Sequence, residues 1–331
     1  MKDPEQSSPN FIFGIYPGGM TGTETGLTTG LPDDPIKITV ALKNLQGTNP
    51  FIVRAYLGYV SSESVGHSNP VGPIQYLSDN RRLDLVLCFR SENEDLTGWK
   101  EFIRTAIQKY GPFLDSLQIT EEANVDLPAL DGHYKHSRRA LVQGVIEAKK
   151  EIRKCGLAVK VGFNATPDFS PSKTFWSELA SLANEQFYDA LDYVGLDFFP
   201  DVFRPIAADG DAMDLSASIK YILHLFRDDL ATAGIDKNLP LHITENGWPT
   251  SSQRTERQQA LMLRRIIHEI HRVKDEFNIT HYELFALRDA DSAIDDIFYQ
   301  FGIMKDDYSP KEAFHVYKSL IAELTRHTVT H

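Results

Sequence analysis

Short apolar segments recur along the whole chain, and most are continuous apolar runs rather than strict alternations of apolar and polar residues. Such runs are typical of parallel strands that are covered on both faces. The pattern predicts eight strands, at residues 11–16, 51–57, 83–89, 116–120, 158–163, 192–199, 241–244 and 282–287.

The segments between these strands carry helical signals. Apolar residues from Trp99 to Tyr110 follow helical spacing, and a Gly-Pro pair then ends the pattern. A capping box from Thr255 to Gln258 predicts the start of another helix, and Ser309 is the predicted N-cap of the last one.

Eight alternating strands and helices predict the α/β class and one closed (β/α)₈ barrel, also called a TIM barrel. We expect a single domain over residues 1–331, with flexible ends at 1–10 and 326–331. The Gly/Thr-rich stretch 18–30 lacks the pattern of a phosphate-binding loop and is predicted to be a loop over the barrel mouth.

Composition limits the classes of partner. The 331-residue chain has a formal net charge of -12, which argues against nucleic acid or an anionic membrane as a partner. Its two cysteines, Cys88 and Cys155, are expected to be reduced and mostly buried. No apolar run is long enough to span a membrane and no signal segment is evident, so a cytoplasmic location is expected. A secreted protein trimmed of its signal would have the same sequence.

Carboxylates follow two of the predicted strands. Glu121, Glu122 and Asn124 come after strand four, and Glu245 comes directly after strand seven. In a barrel of this class the chemistry gathers at the carboxyl ends of the strands, and strands four and seven lie on opposite sides of the axis. Enzymes that hydrolyse glycosidic bonds use two carboxyl groups that face each other across a pocket.

Three segments carry a family resemblance. "ITENGWPT" (243–250) resembles the nucleophile motif of clan A glycoside hydrolases, "ITEEAN" (119–124) resembles their acid/base motif, and residues 284–314 are similar to their eighth strand and following loop. The resemblance implies Glu245 as nucleophile and Glu122 as acid/base. It also implies that Arg54, on strand two, keeps the nucleophile ionised.

This chain departs from the family pattern at three positions. Glu121 stands where the family has an asparagine that contacts the sugar 2-hydroxyl, Phe199 stands near the usual tyrosine of strand six, and Phe285 replaces a tryptophan on strand eight. Because an ionised carboxylate only accepts hydrogen bonds, Glu121 predicts a substrate with a hydroxyl donor or an ammonium at position 2. An alternative is that Glu121 is itself the acid.

Further residues near the strand ends are candidates for substrate binding. Aromatic candidates for sugar stacking are Trp248, Tyr16, Tyr56, Phe199 and Phe203, and candidate hydroxyl partners are Asn164, Asp197, Asp289 and Asp291. The histidines form no motif typical of a metal site, so neither a metal nor a cofactor is expected.

The combined interpretation is a retaining glycosidase that cleaves a β-linked glycoside or oligosaccharide, with carbohydrate as its partner. Two alternatives remain open at this stage. One is a carbohydrate-binding or scaffold barrel without catalysis, and the other is a metal-dependent lyase or isomerase on the same fold.

Overall fold

Eight parallel strands close into a barrel in the computed structural model of the chain, which describes residues 11–60, 73–203 and 212–325. Each strand pairs with the next one in the chain, and the eighth pairs with the first. The strands are β1 (Ile12–Ile15), β2 (Phe51–Val60), β3 (Arg81–Arg90), β4 (Leu114–Ile119), β5 (Lys160–Ala165), β6 (Tyr193–Asp197), β7 (Leu241–Asn246) and β8 (Ile279–Leu284). The predicted α/β class and (β/α)₈ barrel are confirmed.

Helices surround this barrel. The helices of the described residues are α1 (Pro35–Gln46), α2 (Thr97–Tyr110), α3 (Ser137–Lys154), α4 (Thr174–Leu182), α5 (Glu185–Tyr188), α6 (Ala212–Thr232), α7 (Glu256–Val273) and α8 (Glu312–Leu324). Their apolar faces form one core with the strands, to which α2 contributes Trp99 and Ile107 and α8 contributes Leu320. Burying each such side chain stabilises the fold by about 1.5–3 kcal/mol.

All eight predicted strands overlap an observed one, although the last is displaced. The prediction placed it at 282–287, whereas β8 spans Ile279–Leu284. Its first half carries two polar residues, Thr280 and His281, of which His281 is buried. These residues interrupt the apolar run, so the pattern shifted the prediction toward the apolar segment that follows.

The helix signals were correct for α2 and for α7, where Thr255 and Gln258 form the predicted capping box. The prediction of Ser309 as N-cap is wrong, because α8 begins at Glu312. The Lys311 amide donates to the Ile303 carbonyl at 3.0 Å. Pro310 forms an isolated antiparallel β-bridge with Met304. This extended pairing prevents the helix from starting earlier.

Three other expectations have structural outcomes. Cys88 and Cys155 are both free, as predicted, but only Cys88 is buried. No helix in the described part of the chain has the length and apolar character needed to cross a membrane. The predicted flexible ends, 1–10 and 326–331, lie outside the described residues, and the single domain stays a prediction.

Candidate active site

Four carboxylates converge at the carboxyl ends of the strands. Glu121 and Glu122 follow β4, Asp197 is the last residue of β6, and Glu245 lies near the end of β7. One oxygen from each carboxylate lies within 4.8 Å of one from each of the others. The strand register contributes directly, because Asp197 on β6 is paired with Glu245 on β7. The two motifs singled out in the sequence therefore meet in space.

The backbone after β4 is strained and held in place by side chains. Thr120 and Glu122 have φ angles of 67° and 45°, in the left-handed region that non-glycine residues rarely adopt. Asp131 accepts a hydrogen bond from the Glu121 amide at 2.9 Å, and Asn164 accepts one from the Glu122 amide at 2.8 Å. Such strain persists where surrounding contacts determine it, often at functional sites. These contacts fix the direction of both glutamates.

Arg54 is fully buried and contacts two of the four carboxylates, Glu121 and Glu245. Its guanidinium is 2.5 Å from an oxygen of Asp84, 3.2 Å from one of Glu121 and 3.6 Å from one of Glu245. Burial works against its charge, but Tyr56 and these carboxylates raise the pKa of Arg54 above its ordinary value. It therefore supplies a permanent positive charge beneath the site.

Tyr56 links this arginine to Glu245. The Arg54 Nε donates to the Tyr56 hydroxyl at 2.7 Å, and that hydroxyl donates to Glu245 Oε1. Burial raises the pKa of Tyr56, so the phenol keeps its proton. The sequence interpretation treated Tyr56 only as a stacking surface and found no replacement for the tyrosine missing near Phe199. The available signal was the two-residue spacing of Arg54 and Tyr56, which places both on one face of β2.

Glu122 and Glu245 differ in their direct contacts. Burial raises the pKa of both carboxyl groups, and neighbouring carboxylates raise both further, Glu245 and Glu121 at Glu122, and Asp197 and Glu121 at Glu245. The charge of Arg54 opposes the rise at both, but Glu245 also accepts from the Tyr56 hydroxyl and lies 3.6 Å from the Arg54 guanidinium. Since these two groups contact Glu245 directly, the ionised form is best supported there and the proton of the pair is best placed on Glu122.

Asp197 is a fully buried member of the group that the sequence interpretation had considered only as a hydroxyl partner. Its Oδ1 accepts from the Thr244 hydroxyl at 2.6 Å, and its Oδ2 accepts from the Asn164 side chain. Burial, followed by the charges of Glu121 and Glu122, raises the pKa of Asp197. Asn164 thus holds the Asp197 carboxylate and the Glu122 backbone amide at once.

Carboxylate oxygens grouped in this way are also the ligands that hard cations such as Mg²⁺ and Ca²⁺ prefer. The sequence left a metal-dependent barrel open as an alternative, although its histidines form no motif typical of a metal site. However, the buried guanidinium of Arg54 already supplies a cation to two of its members, Glu121 and Glu245.

A cavity of about 990 Å³ opens above the carboxylates. It is at the upper end of the range of small-molecule sites, roughly 300–1,000 Å³. Tyr16, Phe199 and Phe285 line it together with Glu121, Glu122, Asp197 and Glu245. The Gly/Thr-rich stretch forms a short hairpin of Gly22–Thr23 and Gly26–Leu27 that lines one side of the cavity.

Three candidate binding residues have structural partners and do not line this cavity. Trp248 is buried, with the Arg254 guanidinium 4.7 Å from the centre of its ring. Asp289 forms a buried ion pair with Lys311 at 2.8 Å. The Asn124 side chain bonds Thr166 and so ties two loops together.

Solved structures with the same barrel include several glycoside hydrolases. A family 39 glycoside hydrolase from the gut symbiont Bacteroides cellulosilyticus WH2 superimposes with a TM-score of 0.63 at 14% identity, covering 97% of this chain and 65% of that one. A beta-glucosidase from Thermotoga maritima in complex with castanospermine has a TM-score of 0.62 at 13% identity, covering 98% and 99%. A beta-D-glucuronidase from Dictyoglomus thermophilum has a TM-score of 0.57 at 12% identity, covering 92% and 53%.

At these identities the likeness shows the fold. The chain spans slightly less than two thirds of the length of the family 39 enzyme, and nearly the whole length of the beta-glucosidase. No protein-family model matches the chain, and no curated protein matches it in sequence. Function therefore has to be argued from the site.

Proposed function

We propose that the protein is a retaining glycosidase that cleaves β-linked glycosides by double displacement. Glu245 attacks the anomeric carbon while Glu122 protonates the leaving oxygen, and Glu122 then activates the water that releases the sugar. The three solved structures described above are glycoside hydrolases by their names, which agrees with this reaction class.

The observation that carries the proposal is the separation of the two glutamates. Oxygens of Glu122 and Glu245 lie within 4.8 Å of each other. Retaining enzymes hold their two carboxyl groups about 5–5.5 Å apart, whereas inverting enzymes need about 6.5–9.5 Å to admit a water molecule. The close approach supports a direct attack by one carboxylate.

The surroundings support the division of roles. Arg54 and Tyr56 both act on Glu245 and stabilise the anion that a nucleophile must be. Negative charges lie near both glutamates, but no ion pair with Arg54 offsets them at Glu122 among the described residues, which favours there the protonated form that a general acid must have. Glu121 is in contact with both Arg54 and Gln118, which makes it the less suitable acid.

The assignment is tested by covalent labelling. Incubation with 2,4-dinitrophenyl 2-fluoro β-glycosides should add the mass of one sugar to the peptide that carries Glu245. Glu245→Gln should lower kcat by about 1,000-fold or more, because the nucleophile is lost while binding groups remain. Circular dichroism and the thermal midpoint should show that the variant is folded. A label on another residue, or an active variant, would contradict the assignment.

The same assays separate the two alternatives. A barrel that only binds carbohydrate would show no hydrolysis over a panel of dinitrophenyl β-glycosides of glucose, galactose, xylose, mannose, glucuronic acid and glucosamine. A metal-dependent enzyme would lose its activity in excess EDTA and regain it with added Mg²⁺ or Mn²⁺. A glycosidase that works through Glu122 and Glu245 should hydrolyse at least one member of the panel, and EDTA should not inhibit it.

A further inference from the structure

We propose that the leaving group of the natural substrate is a large hydrophobic aglycone rather than a second sugar. This inference rests on the proposed glycosidase function and specifies its substrate. It comes from the distribution of polar and apolar side chains around the cavity, whose floor and outer wall differ sharply in character.

The carboxylates and Tyr56 lie together at the floor, where Tyr56 contacts Glu245. Above them the lining is mostly apolar and is contributed by several different loops and by α6. Its members include Leu27, Leu127, Phe169, Phe203, Tyr221 and Phe298. Polar residues such as Glu24, Arg90 and Asp201 also line the cavity, but apolar side chains outnumber them. One end of a substrate would therefore meet the carboxylates, and the other end would meet a mainly apolar surface.

A continuous series of aromatic rings connects the floor with the rim. Tyr16 packs edge-on against Tyr56 at 5.3 Å and stacks on Phe285 at 5.2 Å. Phe199 is 6.3 Å from Phe285 and 5.6 Å from Phe203, whose ring reaches solvent. A group attached to the anomeric oxygen, close to Glu122 and Glu245, would leave the floor along this wall.

Sugars also stack on aromatic rings, so the aliphatic members of the wall decide the argument. Leu27, Leu127, Leu130 and Ile222 line the cavity as well, and none of them offers a hydrogen bond to a hydroxyl group. Burying sugar hydroxyls against such side chains leaves them without partners, which is costly. Burying alkyl or aryl carbon there is favourable.

The exposure of the wall in the free protein supports the same conclusion. Phe203 is 53% exposed and Tyr221 is 60% exposed. Both line the cavity that contains the carboxylates, so the apolar surface is continuous with the proposed catalytic site. Exposed apolar patches that adjoin a site are frequently binding surfaces.

The test compares leaving groups on one sugar. The sugar is the one hydrolysed best in the dinitrophenyl panel, and its methyl, butyl, hexyl and octyl β-glycosides are compared with its β-linked disaccharide. We expect kcat/KM to rise along the alkyl series by up to about fourfold per methylene, the equivalent of ~0.8 kcal/mol. The octyl glycoside, used below its micelle concentration, should exceed the disaccharide.

Variants of two wall residues test whether the preference for long alkyl groups arises at this wall. Phe203→Ser and Tyr221→Ser should each lower the octyl-to-methyl ratio of kcat/KM by about fivefold to tenfold, as expected for the loss of a partly buried aromatic contact. Phe113→Ser is the matched control, because Phe113 is 39% exposed but lies just before β4, at the opposite end of the barrel. It should leave both the ratio and the activity unchanged.

A binding measurement keeps this inference separate from the proposed function. Calorimetry with octyl and methyl 1-thio-β-D-glucosides, which resist hydrolysis, should show at least about tenfold tighter binding of the octyl compound. If the glycosidase panel fails but this preference holds and falls in Phe203→Ser, only the catalytic proposal is contradicted. If hydrolysis occurs with equal methyl and octyl rates, or a disaccharide is preferred, the aglycone inference is wrong and the hydrolase stands.

Discussion

Glu121 gives this site its unusual charge. Its Oε2 accepts hydrogen bonds from Arg54 at 3.2 Å and from Gln118 at 2.7 Å, so the carboxylate is built into the floor of the cavity. The guanidinium of Arg54 is thereby shared among Asp84, Glu121 and Glu245. The expectation that Glu121 selects a hydroxyl donor or an ammonium at the sugar 2-position stays a prediction. The effect of the Glu121 charge on the pKa of Glu122 follows more directly from the geometry.

The charge of Glu121 should set the alkaline limit of activity. Burial and the charges of Glu245 and Glu121 raise the pKa of Glu122, so the acid keeps its proton to a higher pH than an ordinary glutamate. Glu121→Gln removes one of those charges and lowers the pKa of Glu122. The alkaline limb of the kcat/KM profile should then move to lower pH by about one unit.

The profile is measured with an aryl glycoside from pH 4 to 10. Glu101→Gln, which changes an exposed glutamate on α2, serves as the control and should leave both limbs in place. An alkaline limb that stays fixed in Glu121→Gln, or that moves upward, would show that Glu122 does not feel this charge.

At the scale of single elements, the sequence predicted the strands, whose apolar pattern repeats. It did not predict the directions of individual side chains, which depend on packing. The apolar runs were sufficient to locate eight strands, and the strand count placed Glu122 and Glu245 at one mouth. The direction of Trp248 was not predicted, because it follows from contacts made in the folded chain, such as the Arg254 guanidinium over its ring. The role of Tyr56 was not predicted, because the family pattern has its tyrosine on β6, whereas Tyr56 lies on β2.

The turn after Glu245 depends on a glycine. A Cβ atom on Gly247 would lie 2.0 Å from the Phe285 carbonyl oxygen, a backbone atom that cannot move aside cheaply. The close approach lets the end of β7 pack on the segment after β8, where the Phe285 amide donates to the Asn246 carbonyl at 2.8 Å. This contact is what Gly247 provides, and a role for Trp248 in substrate binding stays a prediction.

Gly247→Ala should therefore weaken both the fold and the site. We expect the free energy of unfolding to fall by about 1–3 kcal/mol, because overpacking forces the backbone to shift. Glu245 is two residues away, so kcat should fall as well. Gly58→Ala is the matched control, since the nearest atom to its new Cβ is Val60 Cγ2 at 3.9 Å. Urea titrations of both variants measure the difference, and equal stability of the two would refute the packing argument.

For the molecule as a whole, the inside of the barrel is more polar than its strand pattern suggests. His242 is sandwiched between Tyr193 at 3.9 Å and His281 at 3.7 Å, and all three are buried. Glu283 is buried nearby on β8. Among the described residues, neither of its carboxyl oxygens has a hydrogen-bond partner. A core of this kind supports the site from below but makes stability depend on protonation.

The buried Glu283 carboxyl determines in which direction the stability changes with pH. Burial, followed by the charge of Asp84, raises the pKa of the Glu283 carboxyl, so the folded protein holds it protonated. In the unfolded chain a glutamate ionises near about pH 4.3. The stability that Glu283 contributes is therefore complete below that pH and is lost as the pH rises toward its folded pKa, by up to about 1.4 kcal/mol per pH unit.

Glu283→Gln removes the ionisation while it keeps the size of the side chain. Because the neutral amide is itself buried without a partner, the informative quantity is the difference in thermal midpoint between variant and wild type, followed from pH 5 to pH 9. This difference should shift in favour of the variant as the pH rises, since only the wild type must keep a proton on residue 283. Glu101→Gln should show a nearly constant difference over the same range, because its side chain is exposed on α2. A constant difference in Glu283→Gln would mean that the buried carboxyl has found a partner that stabilises its charge.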